Sequence, residues 1–335
     1  MENRTHQDSD RGAVFITGAT GQVGGSITRT LLAQGRAVTV LVRKPSTVQG
    51  LDNATVVTGD ITDRQSLIEG MAGCSEVIHV AGAISYKAED RDWLHNTNVV
   101  GTQNMLDAAA ANNVERFLYT SSIATLGHVP IGTIGDENST YNWQTSNNPY
   151  FDTKKEAEDR VLSERRFCCI AVNPGIIFGP GDLGHGAIQM MHNSAAGRVK
   201  TAPAGATTVI SLADAVSGHL LALQHGRPQE RYILGSERMT LYRLFEEIAE
   251  VVGVPPPTGT ISPFLLKVSM GISNWWDKLR GITPHIGPAV TDMVSRNRQY
   301  SWEKAEKELG YTPTAFASSL TACWDGGGKT SDRRY

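Results

Sequence analysis

Residues 13–34 read AVFITGATGQVGGSITRTLLAQ, an apolar run followed by a glycine-spaced turn and a helix-forming stretch. Gly18, Gly21 and Gly24 let the backbone turn tightly and approach phosphate groups closely. A helix that begins directly after such a turn offers unpaired N–H groups and a favourable dipole to an anion. The segment therefore predicts a site for a dinucleotide pyrophosphate, although a purely structural glycine turn has the same spacing. The predicted contacts are Gly18, Thr20, Gly21, Gln22, Val23 and Gly24.

The chain beyond this segment alternates apolar, β-rich runs with helical patterns up to about residue 180. Strands are predicted at 13–17, 37–42, 55–58, 76–80, 116–120, 168–172 and 231–234, and helices at 25–34, 64–71, 97–112, 150–164 and 240–252. Such alternation is typical of an α/β fold in which helices cover both faces of a parallel sheet. We therefore expect a Rossmann-type, doubly wound parallel sheet with a smaller C-terminal substrate lobe built from insertions.

The same patterns predict domain boundaries. Residues 1–11 are expected to form a flexible tail, and 12–177 a dinucleotide-binding domain to which strand 231–234 returns. Residues 178–208 and 236–324 are expected to form the substrate lobe, and 325–335 a second flexible tail.

The composition of the 335 residues is that of an ordinary globular protein, with 40% hydrophobic and 19% charged residues. A net charge of −3 provides no general attraction to nucleic acid. No apolar run reaches the ~18 residues of a membrane span, and the polar N-terminus is unlike a secretory signal. The four cysteines have no metal-ligand spacing, so no metal site is predicted. We expect a cytoplasmic protein.

The end of the second strand bears on the choice of cofactor. NAD-binding folds place an acidic residue there to accept hydrogen bonds from the ribose, whereas this chain has Arg43 and Lys44. Two cations suit a 2′-phosphate, so NADP(H) is favoured over NAD(H), although the pair could also belong to a solvated loop.

Two later strand ends are candidates for cofactor contact. Asp60 and Ile61 follow the third strand, where the sheet edge could touch adenine. Val80, Ala81 and Gly82 close the fourth strand with small residues that leave room for the cofactor. Either could be an ordinary strand-ending turn.

A tyrosine and a lysine at helical spacing predict acid–base chemistry. A tyrosine with a pKa near ~10 is a poor proton donor and acceptor at neutral pH unless a nearby cation stabilises its phenolate. Lys154, four residues after Tyr150, lies on the same helix face and could supply that cation. Tyr300 and Lys304 have the same spacing, but they lie far beyond the sheet and are interpreted as a chance match.

A hydroxyl is also needed to hold the substrate oxygen. The fifth strand runs into Ser121 and Ser122 at the end where open parallel sheets bind ligands. Ser122 is favoured, although both serines could simply cap a turn.

These segments together resemble the extended short-chain dehydrogenase/reductase family, also called NAD-dependent epimerase/dehydratase, and within it the dihydroflavonol reductase-like branch. The matching motifs are TGATGQVG (17–24), GDIT (59–62), NVVGT (98–102), TSS (120–122), YFDTK (150–154), NPGIIFGPGD (173–182) and KELGYTP (307–313). The resemblance implies Ser122, Tyr150 and Lys154 as catalytic residues, with Tyr150 and Lys154 also touching the cofactor. It further implies that Pro174, Ile176 and Ile177 flank the nicotinamide. Asn98 could join a proton relay or cap a helix.

Two departures from the family pattern concern the substrate. Sugar-nucleotide dehydratases carry an Asp-Glu pair where this chain has Ile123 and Ala124. Epimerases usually place an arginine near the position of Thr207, and no arginine is near it in the sequence. A small or hydrophobic carbonyl compound is therefore favoured over a nucleotide sugar.

The sequence thus predicts an NADP(H)-dependent oxidoreductase that reduces a ketone or aldehyde of a small-molecule substrate, with Tyr150 as proton donor. The alternatives are a sugar or nucleotide-sugar epimerase with a retained cofactor, and a non-catalytic NADP(H)-binding redox sensor. A monomer or a homodimer through helices 97–112 and 150–164 is expected.

Overall fold

The quoted N-terminal segment forms the strand, turn and helix that its pattern predicts. In a computed structural model, which describes residues 12–45, 50–181, 186–279 and 287–328, β1 spans Ala13–Thr17 and α1 spans Gln22–Ala33. The predicted tail 1–11, most of the tail after 325, and the side chains of Trp275 and Trp276 lie outside the described part of the chain.

Strands and helices then alternate up to residue 174. They are β2 Val38–Val42, β3 Thr55–Thr58, α2 Arg64–Gly70, β4 Cys74–His79, α3 Arg91–Leu94, a π-helical turn His95–Val100, α4 Gly101–Ala111, β5 Arg116–Thr120, α5 Pro149–Ser163 and β6 Cys168–Pro174. The first four residues of the helix predicted at 97–112 thus belong to the π-helical turn, an irregularity that often marks functional sites, and the α-helix begins at Gly101.

The C-terminal half adds shorter strands and further helices. They are β7 Ile176–Phe178, α6 Ala187–Ala195, β8 Ala202–Pro203, β9 Ala206–Ser211, α7 Leu212–His225, β10 Glu230–Leu234, β11 Glu237–Thr240, α8 Leu241–Val252, β12 Thr260–Ile261, α9 Pro263–Leu279, α10 Pro288–Val294, β13 Asn297–Arg298, α11 Glu303–Leu309 and α12 Ala317–Cys323. The pattern did not predict β9 or α7.

Seven parallel strands form the main sheet in the order β10-β6-β5-β4-β1-β2-β3. Val14 and Ile16 of β1 pack into one apolar cluster and Phe15 into another, because alternate residues of a strand point to opposite faces. Both faces of the sheet are therefore buried, and the predicted doubly wound α/β fold is confirmed. The strand predicted at 231–234 is β10, at the edge of this sheet.

A second sheet of four strands lies after β6. Its order is β11-β9-β13, and β7 also pairs with β9. Residues 176–178 therefore pair outside the main sheet, although the predicted first domain runs to 177. Trp324–Gly328 form a π-helical turn after α12, where a flexible tail was expected from residue 325. No helix within the described ranges is both long and apolar enough to cross a membrane.

Candidate active site

The glycine turn has the geometry that a diphosphate requires. Gly18 has φ +75°, and a Cβ atom there would lie 2.8 Å from the backbone nitrogen of Ala81. A Cβ atom on Gly24 would overlap the carbonyl group of Gly18. Gly21 caps α1 without a side-chain hydrogen bond, and the first turn holds no acidic residue. The N–H groups that begin α1 therefore fit an anion, as expected for a nicotinamide dinucleotide.

The other predicted adenosine contacts lie beyond the ends of neighbouring strands. Arg43 and Lys44 follow β2 and are exposed. The Asp60 carboxylate accepts hydrogen bonds from the backbone and the hydroxyl of Thr62, at 2.9 and 2.8 Å. The side chain of Ile61 packs in the core, so only its backbone could meet a ligand in the cleft.

The small residues after β4 meet the helix that carries Tyr150. The backbone N–H of Ala81 donates to the Thr17 hydroxyl at 3.1 Å, while Val80 is half-buried. A Cβ atom on Gly82 would lie 3.3 Å from Oδ1 of Asn98 and 3.9 Å from Nζ of Lys154. The structure thus brings this loop and Lys154 together at the carboxyl end of the sheet.

Asn98 lies inside the π-helical turn and clamps the loop that follows β4. Its Oδ1 accepts from the N–H of Ala83 at 2.8 Å, and its Nδ2 donates to the carbonyl of Ala83 at 3.0 Å and to Thr153 at 3.2 Å. The sequence left open a relay or a cap, and the observed contacts are those of a clamp between the loop and α5.

Tyr150 lies in the first turn of α5, and the residues just before it fix where this helix begins. Asn148 caps the helix by accepting from the N–H of Phe151 at 3.3 Å, and Pro149 occupies the first helical position. Burial raises the pKa of the Tyr150 phenol, while its hydrogen bond with Ser122 acts in the opposite direction. The Ser122 hydroxyl, which accepts from the N–H of Ala124 at 3.1 Å, thus lies near the Tyr150 phenol, whereas the hydroxyl of Ser121 is buried without a partner in the described part of the chain.

Lys154 does not make the contact with Tyr150 that the sequence suggested. Its Nζ donates to the phenol of Tyr119 at 2.8 Å and to the carbonyl of Thr120 at 2.7 Å, both on β5. Burial lowers the pKa of Lys154 to about 7, and the charge of Glu158 opposes that shift. The helical spacing does bring both residues to the cleft, but the long lysine side chain reaches the strand end.

A row of buried polar side chains leads from Lys154 into the sheet. The phenol of Tyr119 lies near Thr102, whose hydroxyl donates to the carbonyl of Asn98 at 2.6 Å and lies 3.1 Å from Nε2 of His79. Nδ1 of His79 lies 2.7 Å from the hydroxyl of Thr17. Burial lowers the pKa of His79 to about 3, so the ring is neutral, with one nitrogen donating and the other accepting. These buried polar contacts were not predicted from the sequence, although Thr17, His79 and Tyr119 all lie at or next to the carboxyl ends of strands.

Glu158, one helical turn beyond Lys154, is completely buried and anchors the Ser122 turn. Its carboxylate accepts from Arg231 at 2.9 Å, from the Thr125 hydroxyl at 3.0 Å and from the Asn173 side chain. Asn173 also donates to the carbonyl of Ser122 at 3.1 Å. This carboxylate therefore joins β6, β10 and the turn that positions the Ser122 hydroxyl.

The last predicted cofactor contacts lie where β6 passes into the second sheet. Pro174 ends β6 opposite Leu234, while Ile176 and Ile177 belong to β7 and are half-buried.

The second tyrosine–lysine pair has structural partners. The phenol of Tyr300 is buried and donates to the carbonyl of Gly127 at 2.9 Å. Nζ of Lys304 contacts the Glu230 carboxylate at 2.6 Å and the carbonyl of Arg231 at 2.8 Å. Neither group is available to a substrate, which supports interpreting this spacing as a chance match.

Comparisons with known proteins agree with this geometry. The model of the NAD dependent epimerase/dehydratase family matches residues 14–235. A putative dihydroflavonol 4-reductase from Synechocystis sp. is 30% identical, over 91% of this chain and 92% of that protein. A 3-beta-hydroxysteroid dehydrogenase from Mycolicibacterium neoaurum is 28% identical, over 91% of this chain and 88% of that protein.

Solved structures resemble the fold across most of the chain. The crystal structure of gox2253 has a TM-score of 0.82 and 30% sequence identity, and the match covers 96% of this chain and 99% of that one. The UDP-glucose 4-epimerase of Thermus thermophilus, in complex with NAD, has a TM-score of 0.73 at 20% identity, covering 95% and 99%. At that identity the likeness concerns the fold alone.

The chain belongs to the NAD dependent epimerase/dehydratase family and thus to the extended short-chain dehydrogenases/reductases. It is an NAD(P)-dependent oxidoreductase with a Rossmann fold.

Proposed function

We propose that this protein is an NADP(H)-dependent reductase of a ketone or aldehyde, with Tyr150 as the proton donor. The observation that carries the proposal is that Tyr150 and Lys154 lie on one helix, α5, with Tyr150 near enough to the Ser122 hydroxyl for that group to lower its pKa and Lys154 hydrogen-bonded to the carboxyl end of β5. A phenol near a hydroxyl, with a lysine one helical turn away at the same end of the sheet, is suited to stabilising and protonating a developing alkoxide.

Each residue of the proposed site has its own role in the reduction. The reduced nicotinamide, when bound, supplies a hydride to the carbonyl carbon. Ser122 donates a hydrogen bond that orients the carbonyl oxygen, and Tyr150 transfers the proton of its phenol to that oxygen. Lys154 provides the positive charge that favours the resulting phenolate and that can bind a ribose hydroxyl. Glu158 supports the charged form of Lys154 from one turn away.

The preference for NADP(H) rests on Arg43 and Lys44. A guanidinium and an ammonium group that follow β2 at the carboxyl edge of the sheet suit a 2′-phosphate, whereas a carboxylate there would repel it.

The surroundings of the Tyr150 ring are largely aromatic. The ring of Tyr86 packs edge-on against Tyr150, with 5.8 Å between centroids. The neighbouring cluster consists of Ala124, Trp143 and Phe151, packed by Tyr86, Tyr141, Tyr150 and Met293. Aromatic rings beside the proposed proton donor favour an apolar carbonyl compound, and the two relatives are named for a dihydroflavonol and a 3-beta-hydroxysteroid.

The proposal is tested by following NADPH and NADH oxidation against a panel of ketones, aldehydes and nucleotide sugars. We expect turnover with NADPH and an apolar ketone or aldehyde, reduced about 10²- to 10⁴-fold in Tyr150→Phe while cofactor binding persists. Tyr300→Phe, at the buried pair described above, is the matched control and should keep its turnover. Full activity in Tyr150→Phe, or turnover of nucleotide sugars without net NADPH consumption, would contradict the proposal.

A further inference from the structure

Arg298 lies in the second sheet, next to a residue that is far from it in the sequence. β13 runs parallel to β9, and Arg298 is the register partner of Thr207. Paired residues of neighbouring strands point to the same face of a sheet. No arginine lies near Thr207 along the chain, but the fold places Arg298, 91 residues later, beside it.

The guanidinium group of Arg298 is buried and has no partner among the described residues. Arg298 is 5% exposed, its side chain makes no hydrogen bond or ion pair with the part of the chain that the structure describes, and its Nε is a buried donor without an acceptor. Arginine is almost never buried without a compensating anion, because its charge loses water and receives nothing in return. Burial accordingly lowers the pKa of Arg298.

Neighbouring cations, by contrast, have partners. Arg296 binds Asp292 at 3.1 Å, Lys304 binds Glu230 at 2.6 Å, and Arg238 lies over the ring of Trp302 at 4.8 Å. Each of these three cations thus has a partner within the described ranges, whereas Arg298 has no hydrogen-bond acceptor there.

That charge lies close to the proposed reaction centre. It is near enough to Tyr86 to lower the pKa of that phenol, and the Tyr86 ring contacts Tyr150. Burial nevertheless raises the pKa of Tyr86 overall, so this phenol is neutral and does not compensate the guanidinium. β13 also flanks the segment after the Ser122 turn, since the N–H of Val129 donates to the carbonyl of Asn297 at 3.0 Å.

We propose that Arg298 binds a carboxylate group of the substrate, so that the preferred substrate is an oxo acid whose apolar part carries the carbonyl group, and a neutral ketone or aldehyde is reduced less efficiently. A guanidinium group offers two parallel N–H donors that match the two oxygens of a carboxylate. One unpaired cation balances one negative charge, whereas the diphosphate of a nucleotide sugar would call for more than one. This inference rests on the proposed reductase activity and specifies its substrate class.

The test compares oxo acids of increasing chain length, each paired with its methyl ester, as substrates with NADPH. In the wild-type protein we expect kcat/KM for the best acid to exceed that for its ester by roughly tenfold or more, as for a charge-assisted hydrogen-bonded pair. In Arg298→Met the ratio should fall to about one, mainly through a higher KM for the acid. Arg296→Met, two residues away and exposed, is the matched control and should keep the wild-type ratio.

Arg298→Met is expected to fold, because it removes an uncompensated buried charge and retains an unbranched side chain. If it does not fold, Arg298→Lys serves instead, since it keeps the charge without the two parallel donors and should raise KM for the acid. The inference is overturned if the wild-type protein has equal kcat/KM for acid and ester. It is also overturned if the acid-to-ester ratio of kcat/KM in Arg298→Met remains that of the wild-type protein. A preference for nucleotide sugars that is lost in the variant identifies the anion as phosphate and also overturns it.

A binding measurement separates this inference from the proposed function. An unreactive alkanoate, compared with the corresponding primary amide in the presence of NADP⁺, should raise the melting temperature of the wild-type protein but not that of Arg298→Met. If no carbonyl compound is reduced and this difference persists, the proposed reductase fails while the carboxylate site stands. If the alkanoate and the amide behave alike, the carboxylate site fails whatever the turnover.

Discussion

In the wild-type protein, cofactor binding should be accompanied by the uptake of a proton by Lys154, and Lys154→Met should abolish this uptake. Burial lowers the pKa of Lys154 to about 7 in the cofactor-free protein. At pH 8 only about one in ten of these side chains is then charged, and at pH 6 about nine in ten are. The proposed role in the complex requires the ammonium form, so binding should take up about 0.9 proton at pH 8 and about 0.1 at pH 6.

The same linkage predicts a change in affinity. Above pH 7 the Kd for NADPH should rise about tenfold per pH unit, because each unit adds about 1.4 kcal/mol to the work of charging Lys154. In Lys154→Met the affinity should be weaker at pH 6 and nearly independent of pH above 7. Isothermal titration calorimetry in two buffers with different ionisation enthalpies measures the proton uptake directly.

Two controls isolate the lysine. Measurement at pH 8 avoids titration of the 2′-phosphate, whose second pKa is near ~6. Tyr150→Phe removes the phenol as a source of protons and should keep the uptake. Absence of uptake at pH 8 in the wild-type protein, or equal uptake in Lys154→Met, would refute the reasoning.

Two further substitutions probe the site's framework. In Gly24→Ala the new Cβ atom overlaps the Gly18 carbonyl, so fluorescence titration should show NADPH binding weakened by at least about tenfold. In Gly35→Ala the Cβ atom has open space but φ is +76°, so the protein should lose stability while its affinity for NADPH stays unchanged. An equal loss of affinity in both variants would argue against a specific role for Gly24. In Arg231→Met the completely buried Glu158 loses its ion-pair partner, which should lower the free energy of unfolding by about 3–5 kcal/mol in urea titration. Arg227→Met removes an exposed guanidinium from its pair with Glu308 and should lower it far less, so a similar loss in both variants would contradict the assigned burial effect.

Local patterns were sufficient for the main sheet and for the cofactor turn. Gly18 needs a positive φ and Gly24 needs space, and both requirements are local to the turn between β1 and α1. The alternation of apolar strands and amphipathic helices reports burial of the sheet on both faces, so the doubly wound fold follows from it. β9 and α7 were missed because the Thr-rich strand passes directly into a helix, with no intervening turn residues.

The sequence by itself also determined that Tyr150 and Lys154 lie on one helix face, because four residues make about one turn. Only the tertiary structure decided that Lys154 reaches β5, that His79 and Tyr119 extend this contact inward, and that Arg298 lies beside Thr207. These contacts join residues far apart in the chain, and their charges and pKa values depend on what the fold buries around them. A sequence records which groups are present and how neighbours are spaced, whereas desolvation and long-range pairing exist only once the chain has folded.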